Sequence, residues 1–172
     1  MGAEIMDPVR GVLFLREAGE AAGFCGELPA GVRVAECVFD ASSRRLAQAQ
    51  TALWQLRREC DWVCVAARGA CGCVAAALAA QLPVDRLVLA GNRLFAPVND
   101  NWPRELRRLN AFARRNLSLI TAQLVLVAPE EREVRRMLRC ACNAQLCIAG
   151  GDESCAQLLT APWAGEDRSA AE

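Results

Sequence analysis

A short glycine-rich segment between two apolar runs holds the residues whose spacing is best suited to chemistry. It reads Arg68-Gly69-Ala70-Cys71-Gly72 and lies between the strand-like run WVCVAA and an uncharged, alanine-rich helical run. At such a corner, backbone N–H groups without helical partners could hold a phosphate or carboxylate, with Arg68 as counter-charge. Cys71 would lie at the start of the helix, where the helix dipole favours the thiolate and lowers the thiol pKa. Two chemistries therefore stay open here, anion binding and nucleophilic attack by Cys71.

The absence of three residue types removes most other catalytic chemistry. The chain contains no histidine, no lysine and no tyrosine, so all 20 of its basic residues are arginines. Histidine bases, lysine Schiff bases and tyrosine acids are therefore excluded within this chain. The formal net charge is zero, which favours neither nucleic acid nor an anionic membrane as a partner.

The ten cysteines occur in a context that indicates free thiols. The N-terminal residues lack the basic and apolar segments of a secretion signal, and the uncharged run 69–84 is too short for a membrane span. We therefore expect a cytoplasmic protein whose cysteines pack as small hydrophobic residues. A zinc site would need four thiolates, and no C-x-x-C pair is present, so we expect no metal and no cofactor.

Strands and helices that alternate along the chain must position this corner. Apolar runs predict strands at 11–16, 32–39, 63–67, 86–90, 123–128 and 146–149, and helices between them. This alternation indicates βαβ units, and hence an α/β fold in which a mostly parallel sheet of about six strands lies in a three-layer αβα sandwich. We expect a single domain over residues 1–163 and a flexible C-terminal tail over 164–172.

Two of the predicted helices are amphipathic. The first follows the N-cap candidates Asp40 and Ser42, and arginines lie opposite its apolar face, which is Leu46, Ala49, Leu53, Leu56 and Cys60. The second begins at Pro103, and its arginines form the densest basic cluster in the chain: Arg104, Arg107, Arg108, Arg114 and Arg115. We expect this basic cluster to face solvent, where it could meet an acidic protein partner.

The segment from Trp62 to Gly91 resembles the nucleophile-elbow region of the α/β-hydrolase family, in which G-x-S-x-G follows a buried strand. In this alignment the three motif positions fall on Ala67, Gly69 and Cys71, and a proline and the strand RLVLAG follow at the expected distance. The resemblance covers residues 11–155. It implies a minimal α/β-hydrolase-like domain that lacks the first strands of the family.

The resemblance places the catalytic positions of the family on residues without the required chemistry. The nucleophile position falls on Gly69, the acid position at or near Glu131, and the histidine position near Asp152. Since a triad needs a nucleophile, a base and an orienting acid, we expect a non-catalytic binding or scaffold protein. Its ligand would be a small apolar or acyl group, and the candidate binding residues are Arg16, Glu17, Arg68, Gly69, Ala70, Cys71 and Gly72.

A register shift of two residues gives the alternative elbow Gly69-Ala70-Cys71-Gly72-Cys73. It is similar to that of the dienelactone hydrolases, which use cysteine as nucleophile, and it implies a cysteine-dependent hydrolase of esters or thioesters. An anion-binding module at the Gly69 corner is the other alternative. The oligomeric state stays open, although an exposed edge strand would allow a dimer.

Overall fold

A sheet of six parallel strands lies at the centre of the computed structural model, which describes residues 6–20, 24, 26–97, 101–151 and 153–162. The strand order is β2-β1-β3-β4-β5-β6, and every neighbouring pair is parallel. The strands are β1 (Arg10–Glu17), β2 (Arg33–Phe39), β3 (Trp62–Arg68), β4 (Arg86–Ala90), β5 (Gln123–Val127) and β6 (Gln145–Ala149). The predicted α/β class and parallel sheet are confirmed.

The strands in the middle of the sheet are buried on both faces. In β3, Val63, Val65 and Ala67 point to one apolar core, whereas Cys64 and Ala66 point to another. Because neither face meets water, these strands read as continuous apolar runs without alternation. This is why they could be located from the sequence.

Helices cover the two faces of the sheet unequally. One face packs against α1 (Arg45–Glu59), α2 (Gly72–Gln81), α3 (Arg104–Asn116) and α4 (Glu131–Cys140). The other face packs against the short α5 (Cys155–Leu159) and side chains from the segment that precedes β2, including Leu28 and Val32. The arrangement is the predicted three-layer αβα sandwich with one thin layer. The predicted tail over 164–172 lies outside the described residues.

The start of α1 differs from the prediction in its capping. Asp40 does not cap the helix; its carboxylate instead accepts hydrogen bonds from Ser42 and Ser43 in the preceding turn. The residue before the helix is Arg44, whose side chain makes no capping hydrogen bond. The Glu105 carboxylate of α3 accepts a hydrogen bond from the backbone N–H of Arg45 at 2.6 Å instead. A residue 60 positions away thus does what a local cap would do.

Arg45 is buried, although the arginines of this helix were expected to lie opposite its apolar face. Its side chain is only 2% exposed. Nε and Nη2 donate to the two carboxylate oxygens of Glu17 at 2.6 and 3.0 Å, and Nη1 donates to Glu105 at 3.0 Å. Nη2 also donates to the carbonyl of Asp40 at 3.2 Å. These hydrogen bonds, above all those to Glu17, raise the pKa of Arg45. The guanidinium thereby joins the end of β1 to the starts of α1 and α3.

Replacement of Arg45 should be among the most destabilising single changes in this protein. Arg45→Met leaves the carboxylates of Glu17 and Glu105 close together without a cation, and we expect the free energy of unfolding to fall by about 3 kcal/mol. Urea denaturation of Arg45→Met and of the exposed-site control Arg58→Met would measure this difference. Equal stability of the two variants would contradict the structural role given to Arg45. A triple variant that adds Glu17→Gln and Glu105→Gln should recover part of the loss.

Candidate functional site

The chain turns sharply at Gly69, directly after β3. Arg68 is extended, with φ −125° and ψ 145°, whereas Gly69 has φ +63°, in the left-handed region. A single 3-10 turn over Gly69–Cys71 leads into α2. A Cβ atom built on Gly69 would meet no heavy atom within 4 Å outside its immediate neighbours. The bend therefore lies where the sequence alignment placed the nucleophile position, and it opens to free space.

The first residue of α2 lies close to the end of the neighbouring strand. A Cβ atom on Gly72 would come within 3.0 Å of the side-chain oxygen of Asn92. That oxygen accepts a hydrogen bond from the backbone N–H of Leu94 at 3.0 Å, and the Asn92 amide nitrogen donates to Glu133 at 3.0 Å. Glycine at position 72 thus leaves room for an ordered link from the elbow to the start of α4.

Neither Asn92 nor Glu133 was a candidate from the sequence. Asn92 comes two residues after the buried strand β4, and polar residues at the carboxyl end of a parallel strand commonly belong to sites, so its position was the available signal. Glu133 is half-buried. Burial raises the pKa of its carboxyl, and the hydrogen bond from Asn92 partly opposes that shift.

The candidate binding residues fall into three groups in the structure. Glu17 and Cys71 come together, with the Cys71 Sγ 3.9 Å from a Glu17 carboxylate oxygen. The two arginines have other partners. Arg16 donates to Glu36 at 2.6 Å, and the exposed Arg68 guanidinium lies 5.1 Å from the centre of the Phe24 ring. Gly69 and Ala70 lie on the bend itself, and Gly72 begins α2.

Cys71 is not an activated thiol. Its side chain is 0% exposed, and its pKa is raised by burial and then by the negative charge of Glu17. The expected lowering of this pKa by the helix dipole is therefore wrong, because desolvation and a nearby carboxylate outweigh a partial charge at the end of the helix. Burial likewise raises the pKa of Cys73 to about 12.

The acid position of the alignment falls on a residue that faces solvent. Glu131 is exposed and forms an ion pair with Arg135, one turn along α4. Asp152 lies outside the described residues. Its neighbour Glu153 accepts hydrogen bonds from the backbone N–H groups of Gly150 and Gly151 at 3.1 and 3.0 Å.

An open cleft of about 700 Å³ lies beside the elbow, at the carboxyl ends of β4 and β5. One wall is the loop over residues 91–97 that follows β4, and the other is the start of α4. Its lining includes the charged side chains Arg93, Glu130, Arg132, Glu133 and Arg136. Ligands of open α/β sheets commonly bind at this edge.

The structure bears on three further expectations. Within residues 6–20, 24, 26–97, 101–151 and 153–162, no group of three or more histidine, cysteine or acidic side chains is placed to hold a metal ion. The nine cysteines in these ranges are not joined in disulfides. No helix in the described part of the chain combines the length and the apolar character that crossing a membrane requires.

Comparison with known proteins gives a fold and no family. No protein-family model and no curated protein matches the sequence. The structure is similar to one solved in work on LipS and LipT, two metagenome-derived lipolytic enzymes, with a TM-score of 0.61, 14% identity and 82% of each chain covered. An N-formylmaleamic acid deformylase from Pseudomonas putida aligns with a TM-score of 0.48 at 10% identity, over 83% of this chain and 86% of its own. The first comparison establishes an α/β-hydrolase-like fold.

Thiol reactivity would check the state of Cys71. At neutral pH we expect Cys71 to react with iodoacetamide at least about 100-fold more slowly than Cys140 and Cys142, which are exposed, because its thiol is buried and its pKa is raised. Peptide mass spectrometry over a labelling time course gives the separate rates, and the same reaction in denaturing urea is the control. Labelling of native Cys71 as fast as Cys140 would contradict this description and favour a nucleophilic cysteine.

Proposed function

We propose that this protein is a non-catalytic binding member of the α/β-hydrolase-like fold. The observation that carries the proposal is the bend at Gly69, which has the left-handed backbone and the open space of a nucleophile position but no side chain. The sequence also contains no histidine. The elbow is thus retained as a shape, whereas two of the three functions of a triad have no residue to perform them.

The catalytic rate lost without a nucleophile and a base is too large for the other groups at the bend to offset. Removing the nucleophile or the base of a serine-protease triad lowers kcat by about 10⁶-fold. The backbone N–H groups of the bend could still stabilise a bound anion or carbonyl oxygen, but they cannot attack one. Cys71 is the nearest alternative nucleophile, and its burial and raised pKa disfavour it.

Turnover assays on short acyl esters and thioesters would test this proposal. We expect the wild-type protein and Gly69→Ser both to show no turnover above background, because a serine at the bend would still lack a base. The substitution should cost about 1–2 kcal/mol of stability from the left-handed backbone, so circular dichroism must first confirm that the variant is folded. An active esterase measured in parallel is the positive control.

Saturable turnover by the wild-type protein would overturn the proposal. If Cys71→Ala then abolished that turnover, the protein would be a cysteine-dependent hydrolase of esters or thioesters.

We also propose that α3 binds an acidic protein segment. Its five arginines, Arg104, Arg107, Arg108, Arg114 and Arg115, are all exposed, and none forms an ion pair within the described residues. The acidic residue of this helix, Glu105, turns inward to Arg45. The outer surface of α3 is therefore basic and not neutralised by its own carboxylate. Guanidinium groups suit such a partner because they bind carboxylates in a bidentate manner.

Fluorescence anisotropy with a labelled glutamate-rich peptide would test the α3 surface. We expect Arg107→Gln/Arg108→Gln to weaken binding at least about tenfold, because charge pairs across an interface control its specificity. The control Arg135→Gln/Arg139→Gln on α4 has the same net charge and should bind like wild type. Equal losses in both variants would indicate attraction to net charge alone. Tighter binding of a DNA duplex than of the peptide would also contradict an acidic protein partner.

A further inference from the structure

We propose that the cleft between the 91–97 loop and the start of α4 is the ligand site, and that it takes a small organic anion. The ligand would carry one carboxylate or phosphate group on a short apolar body. This inference deepens the proposed binding function and depends on it. It assigns the ligand to a place other than the Gly69 bend.

The backbone opens the cleft at the ends of two adjacent strands. Gly91 follows β4 with φ +56°, and Ala128 follows β5 with φ +46°. Ala128 is the non-glycine residue with positive φ in the described part of the chain, a conformation that costs about 1–2 kcal/mol. A hydrogen bond of 2.7 Å from its N–H to the carbonyl of Ala149 holds it there. Strained backbone of this kind occurs preferentially at functional sites.

The charges in the cleft are arranged to receive an anion. Arg93, Arg132 and Arg136 line it, and within the described residues none of the three is in an ion pair, although two carboxylates line the same walls. Of those carboxylates, Glu133 accepts the hydrogen bond from Asn92. Among the described residues, three guanidinium groups thus remain without a carboxylate in an ion pair on one concave surface. A planar guanidinium binds a carboxylate or phosphate through two parallel hydrogen bonds.

One arginine is held in position by an aromatic side chain. The Arg136 guanidinium lies 5.4 Å from the centre of the Phe95 ring, and both residues are half-buried. This cation–π contact restricts the side chain before any ligand arrives and so lowers the entropic cost of binding. Phe95, Ala96 and Pro97 also give the loop wall an apolar surface, which suits a ligand with a short hydrocarbon part. An inorganic anion would contact the guanidinium groups but would leave this apolar wall without a partner.

Calorimetric titration with three probes would test the assignment. We expect hexanoate and hexyl phosphate to bind, and hexanol, which has the same apolar body without a charge, not to bind. Arg132→Gln and Arg136→Gln should each weaken hexanoate binding at least about tenfold, as expected for loss of a charge-assisted contact. Arg136→Gln removes the contact with Phe95 and could disturb the fold. Arg132 is exposed, so Arg132→Gln should leave the fold intact and tests the charge alone.

Two control variants locate the bound anion. Arg135→Gln removes an arginine of α4 that already pairs with Glu131, and Arg68→Gln removes the arginine next to the Gly69 bend. Both should bind hexanoate like wild type. Loss of binding in Arg68→Gln with retention in Arg132→Gln would place the anion at the bend and overturn the inference. The inference would also be overturned if neither hexanoate nor hexyl phosphate bound at millimolar concentration. These outcomes are separable from the proposed function, because a protein that binds no anion could still lack ester turnover.

Discussion

The guanidinium of Arg45 joins the elements that surround the elbow. It links the end of β1, the start of α1 and the start of α3 through two carboxylates that would otherwise repel each other. A lysine could not take its place, because a single ammonium lacks the planar fork that meets Glu17 with two nitrogens and Glu105 with a third. The same Glu17 carboxylate lies beside Cys71. One ion network around a buried guanidinium therefore joins the elements beside the elbow, and its Glu17 carboxylate also raises the pKa of Cys71.

The Gly69 bend combines a left-handed backbone and open space with a residue that has no side chain. A serine at this position would add backbone strain, whereas glycine adopts a left-handed conformation without a Cβ penalty. Glycine at position 69 therefore avoids strain that a serine would add to the turn. The constraint that remains is steric and lies at Gly72, where Asn92 occupies the space that a Cβ would need. That contact ties the elbow to the cleft at the ends of β4 and β5.

The sequence was informative wherever an element is buried on both sides. The predicted strand at 86–90 agrees with the structure to the residue, because a continuous apolar run indicates burial on both faces. The side chains around the elbow were predicted less well. The sequence places Arg45 on the polar side of α1, because arginine is seldom buried. Its burial is stabilised by the carboxylates of Glu17 and Glu105, which are distant in sequence. The predicted lowering of the Cys71 pKa is wrong for a related reason. The helix dipole can be inferred from the local sequence, whereas burial of the thiol depends on the whole fold. Glu133 and Asn92 meet across 41 positions of sequence, which no local pattern reveals.

The unequal covering of the sheet has a mechanical consequence. Four helices protect one face, but Val12, Val88 and Val125 on the other depend largely on a helix of five residues, α5. That helix is fastened by its Ser154 cap and by hydrogen bonds from Arg10 and Arg86 to the carbonyls of Thr160 and Leu158. A helix this short is only marginally stable by itself, so its place on the sheet depends on these few attachments. Partial unfolding that starts at α5 would therefore expose the valine side chains of this sheet face. Separate molecules could then associate through the exposed apolar surface.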